Sequence, residues 1–433
     1  MSSKWFLAII VALVVLPFVT VGCAATPAPA EPAPQATEPA SAAETAIEPT
    51  AAPAEAAGQK QGEPYKIGLF FSVTGPASSL GMPERDTAMM LVEQVNKAGG
   101  LPGPDGKLHT IKAFFEDDQS DSTKAVLAVK KLIEENGVPI IVGGTGSPAS
   151  VAVIDTVTEA KIPFISMAAA SAIVQPVEER YWVFKTPQTN YPVVEVQADW
   201  MEAKGLTKIA SLGVNNAFGA DSIAAMKQIV AERGFEIVYE GTFEPGDTDF
   251  SAQLTQVAGS GAEVLMVHAT PAEGAPLTVQ FRDFGLEMPI IHNHGIGNAA
   301  FIELAADAAE GVLFPIGKLL VAESLPDSDP QKAVLMQYIT DYEAYTSGGR
   351  PSTFGGHAWD GMQMAFAALQ TVGPQPAAIR DYLEGIQNFV GISGVFNVSP
   401  SDHNGIGKES LVLVEIKEGA WVYVPPESYQ NVP

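Results

Sequence analysis

Small polar residues follow two successive apolar strands in the segment 141–171, and their types favour binding of an anion. The first predicted strand stops at Gly143-Gly144, and Ser147-Pro148 then opens a stretch with apolar residues at helical spacing. Ser at the N-cap with Pro at the first helical position is a standard helix start. Unpaired amides at a helix N-terminus, beside a Ser hydroxyl, suit a carboxylate. These residues alone leave open a tight strand-to-helix turn that holds no ligand.

The next predicted strand in this segment is 163–165, and it ends in the small residues 166–171. Small side chains leave backbone amides and hydroxyls accessible at a strand end. In an open parallel sheet, ligands bind beyond the carboxyl ends of the strands. We therefore expect the two strand ends to form a crevice that binds a small carboxylate.

The elements that position this crevice are predicted to alternate between strands and helices. Strands are predicted at residues 66–72, 111–116, 139–142, 163–165, 182–185, 208–214, 235–242, 263–268, 289–291, 312–316 and, as the last one, 411–417. Helices are predicted at residues 84–98, 121–135, 191–204, 218–233, 250–257, 273–284, 329–345, 354–372 and 376–386, besides the one that starts at Ser147. Such alternation is typical of doubly wound α/β folds with right-handed crossovers. Because the pattern repeats after a linker near residue 187, it predicts two similar lobes.

The N-terminus predicts export and lipid attachment. A positive start, the apolar run 5–21 and small residues before position 23 are typical of a secretory signal peptide. A membrane-spanning helix is the alternative, because the run reaches the short end of the length that spans a bilayer. Thr20-Val21-Gly22-Cys23 resembles the bacterial lipobox, with Thr20 in place of the usual Leu. This resemblance implies that residues 1–22 are a lipoprotein signal peptide and that Cys23 carries lipid, which anchors the protein to the outer face of the cytoplasmic membrane.

The segment 23–63 is predicted to be a tether. Ala, Pro, Thr and Glu dominate after Cys23, with Ile47 as the one large aliphatic residue and no aromatic one. Such a segment buries too little apolar surface to offset chain entropy, so we expect it to be disordered. The remaining chain is long enough for two domains. Its acidic balance, a formal net charge of −26 for the full sequence, argues against nucleic acid as a partner.

Five short motifs, taken in order and spacing, are similar to those of one family. They are 67–76, Asn96-Lys97-Ala98-Gly99-Gly100, Glu116-Asp117-Asp118-Gln119-Ser120, Phe218-Gly219 before a helix, and Gly246-Asp247-Thr248-Asp249-Phe250. Together they resemble the leucine/isoleucine/valine-type substrate-binding proteins of ABC transporters, over residues 65–417. The resemblance implies the type I periplasmic binding protein fold, an α/β fold of two Rossmann-like lobes with parallel sheets, joined by three hinge crossovers. It places one lobe at 64–187 plus 316–393 and the other at 188–315 plus 394–433.

The same resemblance implies a binding function and no catalysis. A lipoprotein of this kind captures an amino acid or a related small carboxylate between its lobes and delivers it to an ABC permease and ATPase complex. We expect a monomer, without cofactor or metal. A ligand-sensing receptor on the same fold, for an organic or aromatic acid, is the alternative, and neighbouring permease and ATPase genes would favour transport. An enzyme that uses the cleft is a third hypothesis, which turnover of a bound compound would support.

Ligand-binding residues of the first lobe are also implied by the resemblance. Ser147 matches the Ser whose hydroxyl and helix-start amides hold the ligand carboxylate. Ala168 and Ala170 match backbone positions at the second strand end. The family often has Thr where Ala170 stands, so we expect Ser171 to supply the missing hydroxyl.

The matched positions elsewhere depart further from the amino-acid binders. Phe218 stands where a Tyr stacks on the ligand, and Trp359 replaces an aromatic residue that walls the cleft. His294 stands where the amino-acid binders place a Glu to hold the ammonium. A buried ammonium needs an acceptor or a counter-charge, and a neutral His supplies an acceptor without the negative charge. The carboxylate half of the site is therefore expected to be kept and the ammonium half weakened, which leaves both amino acids and plain organic acids open.

Four histidines near predicted strand ends make a metal site an alternative to consider: His268, His292, His294 and His357. The Asn and Gly beside His294 indicate a loop and not a regular ligand-bearing strand. We therefore expect no metal at these histidines. The sequence also lacks a P-loop, a zinc-type Cys pattern and a Ser-His-Asp arrangement, so no motif predicts catalysis.

Overall fold

The computed structural model describes residues 60–429. Its strands are β1 Tyr65–Phe71, β2 Leu101–Pro102, β3 Leu108–His109, β4 Ile111–Asp117, β5 Ile141–Gly143, β6 Phe164–Ser166, β7 Val183–Lys185, β8 Lys208–Val214, β9 Glu236–Phe243, β10 Val264–His268, β11 Ile290–His292, β12 Leu313–Gly317, β13 Phe389–Val390, β14 Val395–Phe396, β15 Leu411–Lys417 and β16 Ala420–Val424. Its α-helices are α1 Ser78–Lys97, α2 Ser122–Glu134, α3 Ser147–Ala152, α4 Ile154–Ala160, α5 Asn190–Ala203, α6 Ala217–Arg233, α7 Ser251–Gly259, α8 Pro271–Asp283, α9 Ala299–Ala305, α10 Lys332–Thr346, α11 Thr353–Val372 and α12 Pro376–Glu384. The predicted signal peptide, Cys23 and tether residues 24–59 lie outside the described residues. No helix within 60–429 is both long enough and apolar enough to span a membrane.

The first lobe is built on a five-stranded parallel sheet of order β4-β1-β5-β6-β7. Side chains along β1 alternate between its faces, so Leu69 and Phe71 pack with one helical layer and Phe70 with the other. Helices α1 and α11 form the first layer, and α2 to α4 form the second. Burying each such side chain stabilises the fold by about 1.5–3 kcal/mol. The strand order reverses between β1 and β5, which opens a crevice at that point.

The second lobe contains a seven-stranded sheet of order β16-β15-β12-β11-β10-β8-β9. Strands β8 to β12 are parallel and repeat the order of the first sheet, with the reversal between β8 and β10. The other edge departs from the predicted parallel sheet, because β15 runs antiparallel to β12 and β16 antiparallel to β15. Strand β15 is therefore not the last strand. Sequence reasoning missed β16 because this edge strand is largely exposed and lacks the apolar run of a buried strand.

The chain passes between the lobes three times. The first passage is 186–189, after β7, and the second follows β12. The third lies later than predicted, because Phe396, Val398 and Ile406 pack in the core of the first lobe. The chain therefore leaves this lobe after Ile406 and not after residue 393. The strands β13 and β14 have two residues each, too few for a periodic sequence pattern to mark them.

Residues 60–63, predicted as part of the disordered tether, pair with the short strand β3. Gly62 N donates to Leu108 O at 2.8 Å, and Leu108 N donates to Lys60 O at 3.0 Å. The Nδ1 atom of His109 lies 2.6 Å from Glu63 O. These backbone pairs show that residues 60–63 belong to the folded first lobe.

Helix α1 begins at Ser78, before the predicted start at residue 84, and it contains Pro83. Proline has no N–H to donate to the carbonyl four residues earlier, which here belongs to Ser79. That carbonyl instead accepts a hydrogen bond from Asn298 Nδ2 of the second lobe, at 3.1 Å. Pro83 thus leaves a helical carbonyl available for a contact between the lobes.

Candidate functional site

A cavity of about 320 Å³ lies between the two lobes. The first lobe lines it with residues that follow β1, β4, β5 and β6, namely Ser72, Ser120, 145–149 and 167–169. The second lobe lines it with residues that follow β8, β9, β10 and β11, among them Asn216, Phe218, Pro245, Thr270, Glu273 and His294. Both sheets therefore direct their carboxyl ends at one cavity, and both strand-order reversals open onto it. This is where a ligand is expected in folds of this kind.

Ser147 lies in the cavity wall, but it is not the N-cap residue that the sequence predicts. Gly146 has the extended backbone of an N-cap, so Ser147 and Pro148 are the first two residues of α3. A Cβ atom at Gly144 would lie 2.3 Å from Ser150 Oγ, so only glycine permits this tight entry into the helix. The Ser147 hydroxyl accepts a hydrogen bond from Ala170 N at 3.2 Å. Its own proton has no acceptor among the described residues and is available to a ligand.

Ala168 lines the cavity, whereas Ala170 and Ser171 do not. The amide of Ala170 is already used by Ser147. The amide and hydroxyl of Ser171 both donate to the carboxylate of Asp221, which belongs to the second lobe. Ser171 therefore connects the lobes and does not replace the missing ligand hydroxyl, since its short side chain cannot serve both partners.

Phe218 and His294 form the wall of the second lobe. Their ring centroids are 5.8 Å apart, with an interplanar angle of 63°. The side chain of Asn216 caps α6 by accepting from Phe218 N and Gly219 N, which fixes the direction of the phenyl ring. His294 is 5% exposed, and neither ring nitrogen has a hydrogen-bond partner among the described residues. Burial, with the charge of Lys185, lowers the pKa of His294 to about 3 against an opposing contribution from the backbone of Gln188, so the ring is neutral, with one donor and one acceptor nitrogen.

Trp359 does not reach the cavity. It is buried in the hydrophobic core of the first lobe. Phe354 and His357 of the same helix line the cavity instead. Two residues along an α-helix turn the side chain by about 200°, so His357 and Trp359 face nearly opposite directions. The resemblance therefore implied that Trp359 lines the cleft, whereas the structure places this side chain in the core.

His357 and Lys185 were not among the predicted ligand-binding residues. His357 Nδ1 lies 2.7 Å from Ser393 Oγ, and burial lowers the pKa of this imidazole to about 3. Lys185, at the end of β7, is buried just behind the cavity wall, where Nζ donates to Ala169 O at 2.5 Å. Burial lowers the pKa of Lys185 to about 7. A lone Lys at the end of an apolar strand was the available sequence signal for this buried cation.

Glu273 is a further cavity residue that sequence reasoning missed. It lies in the first turn of α8 and is 5% exposed. Its Oε1 atom accepts from Gly246 N at 3.2 Å, and its Oε2 atom accepts from Thr270 Oγ1 at 3.0 Å. Thr270 followed three residues later by Glu273 is the sequence pattern of a capping box, which could have marked this carboxylate as fixed in position. The cavity therefore contains a negative charge that the matched positions did not predict.

Behind the wall of the first lobe, two carboxyl groups connect three strand ends. Thr145 Oγ1 donates to Glu84 Oε2 at 2.5 Å, and Ser72 Oγ donates to Asp118 Oδ1 at 2.6 Å. Ser72 N in turn donates to Thr145 Oγ1 at 2.9 Å. Burial raises the pKa of Glu84 well above its ordinary value and raises that of Asp118. Since Ser72 and Thr145 line the cavity and the acids lie behind them, this network maintains the shape of the wall.

The histidines considered for a metal site do not share a set of contacts. His292 Nε2 is 2.9 Å from Thr278 Oγ1, and its ring packs against Phe301, whereas His294 faces the cavity. Among residues 60–429, no group of three or more His, Cys, Asp or Glu side chains is placed to hold a metal ion.

Comparison with known proteins identifies relatives over most of the described chain. A family model described as periplasmic binding protein matches residues 64–420. Leu/Ile/Val-binding protein homolog 3 of Brucella melitensis is 28% identical over 256 residues, which cover 58% of this chain and 67% of that protein. The leucine-, isoleucine-, valine-, threonine- and alanine-binding protein of Pseudomonas aeruginosa is 26% identical over 275 residues, which cover 63% of this chain and 69% of that protein.

Solved structures with the same fold include an extracellular ligand-binding receptor from Rhodopseudomonas palustris HaA2. It superposes with a TM-score of 0.76 at 28% identity, covering 83% of this chain and 99% of that one. The branched-chain amino acid transporter substrate-binding protein LivJ from Streptococcus pneumoniae, in complex with isoleucine, has a TM-score of 0.72 at 23% identity, over 83% of this chain and 100% of that one. At that identity the likeness concerns the fold alone. The predicted resemblance to leucine/isoleucine/valine-type binding proteins and the two-lobed α/β fold class are confirmed.

Proposed function

Because this chain belongs to the periplasmic binding protein family, we propose that its inter-lobe cavity captures a small carboxylate, an amino acid or a related organic acid. The family consists of substrate-binding receptors and is not a class of enzymes. One observation carries the proposal: the Ser147 hydroxyl and the His294 ring lie in the wall of one buried cavity with hydrogen-bonding capacity that no side chain of the described residues uses. A buried polar group without a partner costs about 1–3 kcal/mol, so a ligand that fills these positions is stabilised.

The carboxylate is proposed to bind on the side of the first lobe. Pro148 has no N–H, so Ser147 and Ala149 supply the unpaired amides in the first turn of α3, beside the Ser147 hydroxyl. The backbone of Ala168 borders the same space. All of these groups can donate hydrogen bonds. The first-lobe part of the cavity wall contains no side-chain carboxylate. They therefore suit a ligand anion.

The apolar part of the ligand is proposed to pack between the lobes. Phe218 from the second lobe, with Leu80 and Phe354 from the first, supplies apolar surface to the cavity. A short branched or aromatic tail would bury its surface against these side chains. The names of the Brucella and Pseudomonas relatives, which specify leucine, isoleucine and valine, support a ligand of this size.

The proposed physiological role is that of the extracytoplasmic substrate-binding lipoprotein of an ABC importer. Lipid on Cys23 and the Ala/Pro-rich tether would keep the monomer near its permease and ATPase partners. Ligand that contacts both lobes would favour a closed form by hinge bending at the three passages. The alternative of a sensory receptor would use the same cavity and the same closure.

The decisive experiment is to identify and measure the ligand. Mass spectrometry of material that co-purifies with the protein is expected to reveal a small carboxylate, and calorimetry with that compound should give one site per chain. His294→Ala is expected to weaken binding, while His109→Gln, at a histidine outside the cavity, should leave it unchanged. Failure of the wild-type protein to bind any amino acid or organic acid would contradict the proposed function.

A further inference from the structure

Glu273 is the one residue with a formal charge among those that line the cavity within residues 60–429. No Lys or Arg lies in the cavity wall, and Glu273 takes part in no ion pair in the described chain. A carboxylate removed from water without a cation nearby is costly unless other groups compensate it. The backbone N–H of Gly246 and the hydroxyl of Thr270 compensate it in part, with one hydrogen bond to each oxygen.

Those two contacts also fix the carboxylate in place. Gly246 belongs to the loop after β9, and Thr270 is the N-cap residue of α8, so Glu273 is held by two separate elements. A carboxylate oxygen can accept more than one hydrogen bond. Each oxygen of Glu273 therefore keeps the capacity to accept from a ligand, at a position that does not need to reorganise on binding.

A positive charge, that of Lys185, lies behind another part of the wall. The Lys185 ammonium is bonded to the carbonyl of Ala169, a cavity residue, and its charge acts on His294 and His357. Those two neutral rings provide no negative charge. A ligand cation at His294 would therefore meet repulsion from Lys185, which itself is offset in part by Asp221 and Asp402, whereas Glu273 offers a fixed carboxylate in the cavity wall.

We propose that Glu273 holds a cationic group of the ligand, so that the cavity selects small carboxylates that also carry an amino group. This inference rests on the proposed function, which places a ligand carboxylate in the cavity. It adds the residue that determines which carboxylates the cavity prefers. It differs from the arrangement implied by the family resemblance, in which position 294 would hold the ammonium. An ammonium beside Glu273 would form charge-assisted hydrogen bonds with an acceptor that the fold has already positioned.

The test compares ligands that share a carbon skeleton and differ in the amino group. Calorimetry would use leucine with 4-methylpentanoate, and phenylalanine with 3-phenylpropanoate, on the wild-type protein and on Glu273→Gln. The wild-type protein is expected to prefer the amino-bearing member of a pair by at least about tenfold, the lower end of the range for a hydrogen bond to a charged group. Glu273→Gln should reduce that preference to within about twofold by weakening the amino acid, with the deaminated acid unchanged.

Glu303→Gln is the matched control, because Glu303 is exposed on α9 and outside the cavity. It should leave every affinity as in the wild type. The inference is overturned if the wild-type protein binds both members of each pair equally, a result that does not depend on whether any variant folds. It is also overturned if Glu273→Gln weakens both members equally, since that indicates a structural role limited to holding Gly246 and Thr270 in place. Binding of no carboxylate by the wild type would instead remove the proposed function, and this inference with it.

Discussion

At the residue scale, the site consists of polar groups that the fold buries without satisfying completely. Ser147 uses its hydroxyl oxygen to accept from Ala170 N and keeps its proton free. No side chain of the described residues pairs with the ring nitrogens of His294. The two residues come from different lobes, so a ligand that satisfies both must bridge them. Ser147 and His294 can therefore contribute both to recognition and to closure of the lobes.

Ser147→Ala is expected to weaken carboxylate binding by about 1.5–3 kcal/mol, the range for a hydrogen bond to a charged group. Binding should not vanish, because the amides of Ser147 and Ala149 remain after the substitution. Calorimetry with the ligand identified by mass spectrometry measures the change. Ser328→Ala, an exposed serine on the same lobe, serves as the control. An unchanged affinity in Ser147→Ala would place the carboxylate elsewhere in the cavity.

At the element scale, helix ends and a helical proline provide contacts between the lobes beside the cavity. The carbonyl of Ser79, left free by Pro83, accepts from Asn298. Ser171 donates to Asp221 of α6, and Thr353 Oγ1, at the start of α11, donates to Gly297 O at 3.0 Å. None of these bonds needs a ligand. They stabilise the arrangement in which the two lobes face one another, and so they should raise affinity without changing which ligand is preferred.

Asn298→Asp isolates one of these contacts. The Oδ1 atom of Asn298 also caps α9 by accepting from Ala300 N at 2.8 Å, and Asp caps a helix as well as Asn does. Aspartate lacks the Nδ2 donor, so the bond to Ser79 O is lost, and the carboxylate oxygen in its place repels that carbonyl. Ligand affinity is expected to fall by at least about 0.5–1.5 kcal/mol, the net contribution of one hydrogen bond, with ligand ranking unchanged.

The measurement combines calorimetry with small-angle scattering. Scattering should show that the ligand-saturated variant becomes as compact as the wild type, but at a higher ligand concentration. Asn298→Ala removes the cap as well and should lower the melting temperature more than Asn298→Asp does. A changed order of ligand preference in Asn298→Asp would contradict a role limited to lobe closure.

At the scale of the whole molecule, stability depends on imidazoles that the fold keeps neutral. Four buried histidines have pKa values lowered by burial: His268, His292, His294 and His357. His268, at the end of β10, is fully buried, and neither ring nitrogen has a partner in the described chain. Asp360 acts in the opposite sense, because burial raises its pKa to about 7. The pH dependence of folding is the balance of these groups.

Removal of one such histidine should therefore change the slope of stability against pH. Burial lowers the pKa of His268 from 6.5 to about 4, so below pH 6.5 the unfolded chain binds a proton that the folded chain does not. The contribution of His268 to stability is thus present above pH 6.5 and is lost as pH falls towards 4. In the ligand-free protein, His268→Leu should reduce the loss between pH 6 and pH 5 by about 1 kcal/mol relative to the wild type.

Urea unfolding at several pH values measures this difference. The comparison of slopes is independent of any constant change in stability that the substitution causes, and Asp360 contributes equally to both proteins. Parallel curves for wild type and His268→Leu would mean that His268 is not kept neutral by the fold.

The sequence by itself predicted most of the strand-and-helix order, the two-lobed plan and the strand ends that bear Ser147 and Ala168, whereas Phe218 and His294 came from the family resemblance. These predictions follow from local physics: apolar runs mark buried strands, and small residues after them mark the ends where a parallel sheet binds ligands. The exposed edge strand β16 and the short strands β13 and β14 lack those signals, so the sequence did not reveal them.

Only the tertiary structure decided which side chains enter the cavity. Trp359 and His357 share one helix, and the way α11 packs in the first lobe turns the first into the core and the second to the cavity. Glu273 enters because α8 starts beside the loop after β9, although the two are distant in sequence. Ser171 turns away because α6 of the other lobe presents Asp221 to it. Each outcome depends on how elements distant in sequence pack against one another within a lobe or between lobes. Local sequence patterns do not encode that packing.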